Sequence, residues 1–164
     1  MRKLHYIPCL LCLIAAALLN SCGDDDDGVM ERPDYTSINY EVTLSDEFLS
    51  MYTVEVEYKK LSGDKEQARM DAIYWQYKEK QDGTRPIDFS LRVVAKARER
   101  VPMFSGKNDE KIHLLADVSM EYYTKKTSAK RTHLRPLDTD IEKGNAATYM
   151  EAHPTIEIAN ISTE

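Results

Sequence analysis

The alternation of side chains between Ile112 and Tyr123 limits the fold of this chain more than any other feature of its sequence. Apolar residues occupy every second position of this stretch, namely Ile112, Leu114, Ala116, Val118, Met120 and Tyr122. Successive side chains of a β-strand point to opposite faces of its sheet. The stretch therefore predicts a strand that buries one face and exposes the other, as is common in antiparallel sheets.

Five further segments show the same period of two, some of them less regularly. Together with the first, the predicted strands run approximately over residues 40–45, 52–59, 68–79, 89–98, 112–123 and 155–161. Within residues 68–79, Ile73, Trp75 and Tyr77 share one face of the predicted strand. Gly63 and Gly83 lie in turn-forming sequences between neighbouring segments.

The remaining segments add little regular structure to this prediction. Lys125–Lys143 is polar and is predicted to be a long connection with a short edge strand near Thr132. Asn145–His153 favours a short helix, with Asn145 as its N-cap and Pro154 after its end. Six to seven strands in roughly 130 residues are typical of an antiparallel β-sandwich of immunoglobulin-like type. A barrel-like all-β domain is the alternative.

The first 22 residues have the organisation of an export signal. Arg2 and Lys3 precede an apolar run over residues 10–19, about half the length of a membrane-spanning helix. The run ends in Leu19-Asn20-Ser21-Cys22, which resembles the lipobox of bacterial lipoproteins. The resemblance implies that residues 1–21 are removed and that Cys22 becomes a lipidated N-terminus. An ordinary signal peptide with an incidental cysteine is the alternative.

Four consecutive aspartates, Asp24, Asp25, Asp26 and Asp27, follow the cysteine. A run of like charges resists burial, so residues 22–33 are predicted to be a flexible tether before a single domain over residues 34–164. Acidic residues at this position also resemble the surface-export signal of Bacteroidota lipoproteins. This resemblance implies an outer-membrane protein that is exposed at the cell surface. Retention on the periplasmic side is the alternative.

Charge and cysteine content exclude several classes of function. Removal of residues 1–21 changes the net charge from −6 to −8, because it takes away Arg2 and Lys3 and no acidic residue. An acidic balance of this kind argues against nucleic acid as a partner. Cys9 and Cys12 lie in the signal, so Cys22 is the only cysteine of the mature chain. The sequence therefore predicts neither a disulfide nor a cysteine metal site.

The sequence contains no motif that specifies an enzymatic reaction. His113, His133 and His153 lie far apart along the chain, and scattered surface histidines are the expected outcome. We therefore predict no catalytic residue, no metal and no cofactor. The leading hypothesis is a non-catalytic binding or interaction lipoprotein of the cell surface, with a surface protein or a glycan as its partner, and it could belong to a larger outer-membrane system. A glycan-binding protein of a polysaccharide-uptake system is the alternative, and a small hydrolase is a third.

Three aromatic residues are candidates for ligand contact. Trp75 is the only tryptophan, and it could form a platform on which sugars stack together with Tyr74, Tyr77, Tyr122 and Tyr123. Tryptophan on a central sandwich strand more often belongs to the core, so both roles remain open for Trp75. Tyr74 and Tyr123 fall on outward positions of their predicted strands and are better placed for contact with a ligand.

Charged residues of the predicted strands suggest two further features. The run Lys125, Lys126, Lys130, Arg131 and Arg135 contains no acidic residue between its members. It could meet an anionic glycan or a protein, or it could protect an edge of the sheet from aggregation. The outward Arg92 and Lys96 are expected to pair with Glu55 and Glu57 if their strands are neighbours.

Overall fold

The protein is described by a computed structural model that covers residues 31–163. The chain forms two units, Met1–Arg32 and Pro33–Glu164, and the elements described belong to the second. The predictions for the signal segment, for Cys22 and for Asp24–Asp27 lie outside the described residues.

The described residues contain eight β-strands, two α-helices and one short 3₁₀ turn. In chain order, the elements are β1 (Tyr35–Leu44), α1 (Asp46–Met51), β2 (Tyr52–Lys59), β3 (Lys65–Met70), β4 (Tyr74–Asp82), β5 (Ser90–Ala97), β6 (Lys111–Thr124), β7 (Ser128–Glu142), the 3₁₀ turn (Lys143–Asn145), α2 (Ala146–Ala152) and β8 (Thr155–Ser162). Within residues 31–163, no helix is long and apolar enough to cross a membrane.

The strands form two four-stranded sheets in which every neighbouring pair is antiparallel. Sheet A has the order β4-β1-β6-β7, and sheet B has the order β3-β2-β5-β8. The two sheets enclose one hydrophobic core. This arrangement confirms the predicted all-β sandwich and excludes the barrel-like alternative.

The core is built from the inward faces of the strands, as the alternation predicts. On β6 the apolar set from Ile112 to Met120 is at most 5% exposed, and its outward neighbours are more accessible, except for Ser119 at 6%. Tyr40 of β1 and Tyr52 of β2 are fully buried, and each hydroxyl donates to a backbone carbonyl. These tyrosines fill the core without leaving a buried polar group unpaired.

Helix α1, between β1 and β2, was not predicted. Ser45 is its N-cap, and the Ser45 hydroxyl accepts a hydrogen bond from the Phe48 amide at 3.3 Å. Asp46 and Glu47 in the first turn suit the positive end of the helix dipole. The helix buries Phe48 and Met51, so one turn and a half closes this end of the core.

The prediction of one strand over residues 68–79 was wrong. The segment is broken at Asp71–Ile73 into β3 and β4, which belong to different sheets. Met70 is buried from the side of sheet B, whereas Trp75 faces the core from sheet A. The three residues between the strands carry the chain from one layer to the other.

The predicted edge strand near Thr132 is present, but the prediction of a long connection around it was wrong. Most of Lys125–Lys143 is β7, a 15-residue edge strand of sheet A. Pro136 lies where the β6–β7 register shifts, a place where a ladder tolerates a residue without an N–H group. The mostly exposed side chains of β7 explain why its period of two is weak in the sequence.

The predicted C-terminal helix is present as α2, but the role expected of Asn145 was wrong. The side chain of Asn145 makes no capping hydrogen bond to α2. Its amide nitrogen instead donates to the Glu142 carboxylate at 3.2 Å. The preceding 3₁₀ turn leads directly into α2, so the helix begins without a side-chain cap.

The sandwich has two ends with different connections. At the proximal end the chain enters β1 after Pro33, and β4 and β6 both finish there, opposite Tyr35 and Thr36. The distal end holds α1, the β3–β4 corner, the β5–β6 loop and α2. These two ends, and not the middle of either sheet, carry the more distinctive surfaces.

Candidate functional site

The outer face of sheet B carries several ion pairs between neighbouring strands. The Arg92 guanidinium lies 3.6 Å from the Glu57 carboxylate and 3.2 Å from that of Glu157. The Lys96 ammonium lies 3.0 Å from the Glu55 carboxylate. The predicted pairing of Arg92 and Lys96 with the glutamates of β2 is therefore confirmed. Exposed pairs of this kind contribute little to stability and describe an ordinary solvated surface.

The centre of the outer face of sheet A is a hydrogen-bonded network around Glu41. Its carboxylate accepts hydrogen bonds from Asn39 at 2.8 Å and from Gln76 and Ser119 at 3.0 Å each, and Arg131 lies 4.0 Å away. These contacts lower the pKa of Glu41, with the Asn39 hydrogen bond as the largest cause. The network holds three neighbouring strands in register through their outward side chains.

A second polar cluster surrounds Asp117, next to the register shift in β7. Asp117 accepts from His133 at 2.6 Å and from Arg135 at 3.2 Å, and Arg135 also lies 3.4 Å from Asp138. The cluster borders a depression of about 330 Å³ that Arg131 also lines. The two arginines of the basic run are thus already paired with carboxylates of the same chain.

The three histidines do not meet. His113 lies 2.9 Å from Asp140, His133 contacts Asp117, and His153 follows α2. Among residues 31–163, no group of three or more histidine, cysteine or acidic side chains is placed to hold a metal ion.

The three predicted aromatic contact residues do not form one platform. Trp75 is half-buried and faces the core, with its ring centroid 5.1 Å from that of Tyr58. Tyr74 points outward and is 50% exposed, but it pairs with Thr43 at the distal end of β1. Tyr123 pairs with Ser37, six residues away on the same strand, or about 20 Å at the rise of an extended chain.

Tyr123 instead belongs to an aromatic depression near the proximal end of sheet A. Its ring lies 4.4 Å from that of Tyr35, and its hydroxyl donates to the Pro33 carbonyl at 2.9 Å. The Lys80 ammonium lies 4.0 Å from the centre of the Tyr35 ring. The depression has a volume of about 350 Å³ and is also lined by Asn39, Lys78 and Glu121. Sequence reasoning missed Tyr35, although its position beside Tyr123 follows once β1 and β6 are paired.

Exposed apolar side chains concentrate at the distal end. Of the five large hydrophobic residues that are exposed in the described chain, four lie there, and the fifth is Leu134 on β7. The four are Ile73 at 41%, Tyr74 at 50%, Val101 at 44% and Met103 at 100% exposure. Ile73 lies in the β3–β4 corner and Tyr74 begins β4, whereas Val101 and Met103 belong to the β5–β6 loop.

A groove beside α2 lies at the same end. Its volume is about 630 Å³, and its walls include Lys111, Ile141 and Tyr149. The Tyr149 ring stacks on that of His153 at 4.4 Å, and burial raises the pKa of Tyr149. The spacing of four residues between Tyr149 and His153 places them on one face of a helix, which was the available sequence signal. We refer to this cavity as the α2 groove.

No protein-family model, curated protein or solved structure matches this chain. The distal end, with its exposed apolar residues and the α2 groove, is the candidate site that combines accessible apolar area with a concave surface. The aromatic depression is the second candidate. Neither contains a nucleophile hydrogen-bonded to a general base, among the contacts of the described residues.

Proposed function

We propose that this protein is a non-catalytic binding lipoprotein of the bacterial cell surface. In this proposal Cys22 carries the lipid that holds the chain in the outer membrane, and Asp24–Asp27 direct it to the outer face. The distal end is the surface that contacts a protein partner.

The distribution of exposed apolar side chains carries this proposal. Single exposed apolar residues are ordinary, but their concentration at one end of a domain indicates an interaction site. The chain enters the domain at the proximal end, so a lipid at Cys22 leaves the distal end accessible to other molecules. Fully exposed Met103 also suits such a role, because methionine adapts its shape to a partner surface.

The α2 groove is a second reason to propose the distal end as the binding surface. Interfaces commonly receive one apolar or aromatic side chain of the partner in a pocket beside flatter contacts. The stacked Tyr149 and His153 provide an aromatic wall for such a side chain, and Lys111 provides a charge at the rim. A protein partner uses both the groove and the neighbouring loop.

Glycan binding is the second candidate, and the aromatic depression favours it. Carbohydrate rings stack on aromatic faces, and Asn39, Lys78 and Glu121 offer donors and acceptors for sugar hydroxyls. A glycan array probed with the Cys22→Ser mature chain tests this candidate. Binding that is lost in Tyr123→Ala and kept in Tyr74→Ala would assign glycan recognition to the depression, and absence of binding would remove the candidate.

Site-specific photo-crosslinking in intact cells tests the distal end directly. A photoreactive amino acid at Met103 is expected to give a discrete protein adduct, because the position is fully exposed in the proposed surface. The same amino acid at Gln67, which is exposed on an edge strand of sheet B, serves as the matched control. Equal adducts at both positions, or adducts only at Gln67, would contradict the assignment of the distal end.

Two variants test the anchor and the location separately. Cys22→Ala is expected to abolish incorporation of labelled fatty acid, since no other cysteine remains in the mature chain. Replacement of Asp24–Asp27 with asparagine is expected to preserve labelling and to protect the protein from protease added to intact cells. Labelling of Cys22→Ala would refute the lipobox assignment, and unchanged proteolysis of the asparagine variant would refute the export signal.

A further inference from the structure

The turn between β6 and β7 carries cations that the fold does not use. Lys125 and Lys126 lie in this turn, and Lys130 lies at the start of β7. All three are exposed, and none forms an ion pair with another described residue, in contrast to Arg131 and Arg135 of the same run. In a chain with a net charge of −6, three such lysines within six positions are a local exception. We call residues 125–130 the basic turn.

A second connection at the proximal end extends this positive surface. Arg85, in the loop after β4, also forms no ion pair with a described residue. Arg85 and Lys126 line a shared cleft of about 430 Å³, together with the hydroxyl-bearing Thr84 and Thr127. The nearby acids are Asp34, which accepts from the Thr84 hydroxyl at 2.8 Å, and Asp82.

The basic turn lies directly beside the point where the chain enters the domain. Thr36 pairs with Thr124, the last residue of β6, so Lys125 comes directly after that strand at the end where β1 begins. The Tyr123 hydroxyl also holds the Pro33 carbonyl at 2.9 Å. Ten residues separate Pro33 from Cys22 along the chain. Even fully extended, they span at most about 40 Å.

We propose that the basic turn docks on the anionic phosphate headgroups of the bilayer that holds the lipid of Cys22. The proposal rests on the anchor in the proposed function, which keeps the proximal end near the membrane. A lysine near an anionic bilayer surface raises membrane partitioning roughly fivefold, and the effect falls off within a Debye length. The docking orients the sandwich so that the distal end points away from the membrane.

Vesicle cosedimentation of the mature chain with Cys22→Ser tests the docking without any lipid on the protein. We expect binding at low salt to mixed phosphatidylcholine–phosphatidylglycerol vesicles and none to phosphatidylcholine alone. Lys125→Gln with Lys126→Gln should lower the partition coefficient roughly 25-fold, from fivefold for each charge. The matched control, Arg100→Gln with Lys107→Gln, removes the same charge from the β5–β6 loop at the distal end and should change it less than twofold.

Each other outcome overturns the proposal. Equal losses in the two double variants would show that net charge alone controls binding. The parent chain could bind vesicles only after Asp24–Asp27 are replaced with asparagine. This result would show that the lysines of the basic turn pair with the chain's own aspartates and not with lipid headgroups. Inorganic phosphate that displaces the protein far more strongly than chloride of equal ionic strength would assign a discrete phosphate site instead of a membrane surface.

The assay is independent of the anchor on which the proposal rests. The protein in it carries no lipid, so loss of vesicle binding leaves the fatty-acid labelling of Cys22 unaffected. Conversely, failure of Cys22 labelling with intact vesicle binding would refute the anchor and retain an anionic-surface contact. The two failures are therefore distinguishable.

Discussion

Tyr52 offers the sharpest test of how β2 is joined to the end of α2. Its side chain is fully buried, and its ring stacks on Phe48 with centroids 4.7 Å apart. Its hydroxyl donates to the His153 carbonyl at 3.1 Å, and so connects the start of β2 to the end of α2. Burial raises the pKa of Tyr52 to about 12, and the nearby Tyr149 adds to the effect. We predict that Tyr52→Phe changes stability in opposite directions at neutral and alkaline pH.

Tyr52→Phe has two effects on the free energy of unfolding, the loss of a hydrogen bond and the loss of an ionisable group, and they have comparable size and opposite sign. At neutral pH the variant loses one hydrogen bond, which costs about 1 kcal/mol of the free energy of unfolding. The pKa of Tyr52 is higher in the folded protein than the ordinary value of 10. The corresponding stability is complete below pH 10 and is lost as the pH rises through 12, for a total of roughly 2 to 3 kcal/mol. The wild-type protein loses this stability and the variant does not, so their free energies should cross at about pH 11.

Urea unfolding of both proteins, at a series of pH values from neutral to strongly alkaline, measures the difference. Ile158→Val is the matched control, because Ile158 is buried and the substitution costs about 1 kcal/mol without changing a titratable group. Its deficit should stay constant while that of Tyr52→Phe shrinks and reverses. A deficit of Tyr52→Phe that is independent of pH would refute the reasoning.

Three further predictions follow from the core, the network of sheet A and the fold. Met120→Asp should lower the free energy of unfolding by about 3 kcal/mol or more, because it buries an unpaired charge. Glu121→Gln, at the next and exposed position, should change it by less than about 0.5 kcal/mol. Equal effects of the two substitutions in thermal unfolding would contradict the β6 register. Because hydrogen bonds, first that from Asn39, lower the pKa of Glu41, its contribution is present above the ordinary pKa of 4.5 and is lost as the pH falls. The acid-induced loss of stability should therefore be shallower in Glu41→Gln, and identical acid titrations would contradict this. Residues 33–164 should fold without lipid or disulfide and give a β-dominated far-ultraviolet circular dichroism spectrum, and a helical spectrum would contradict the fold.

Alternation predicted the strands that bury one full face. Residues such as Leu114 on β6 and Val54 on β2 are apolar because they face the opposite sheet, so their period of two is visible in the sequence. Edge strands lack this constraint. Most side chains of β7 contact solvent, and its long polar sequence consequently resembled a connection. The break at Asp71–Ile73 contains neither glycine nor proline, so only the change of sheet reveals it.

The candidate site was less predictable than the fold for a related reason. Tyr74 and Tyr123 were correctly placed on outward positions, but the pairing of β1 with β4 and β6 determines that they lie at opposite ends. The exposed Met103 and the α2 groove depend on how the loops fold at one end of the sandwich. Sequence periodicity describes the faces of strands and carries no information about which loops share an end. Ser45 before Asp46 and Glu47 is a start signal for α1 that is visible in the sequence, although period-two alternation does not detect it.

The central position of β1 has a mechanical consequence. The chain leads into this strand from the proximal end, and β1 is hydrogen-bonded along its length to β4 on one side and to β6 on the other. A force between a membrane-held N-terminus and a partner bound at the distal end would act along the strand axis. It would load both ladders in shear, so many hydrogen bonds would have to break together instead of one after another. In the anchored protein that we propose, β1 is therefore well placed to resist pulling, since it is hydrogen-bonded on both sides.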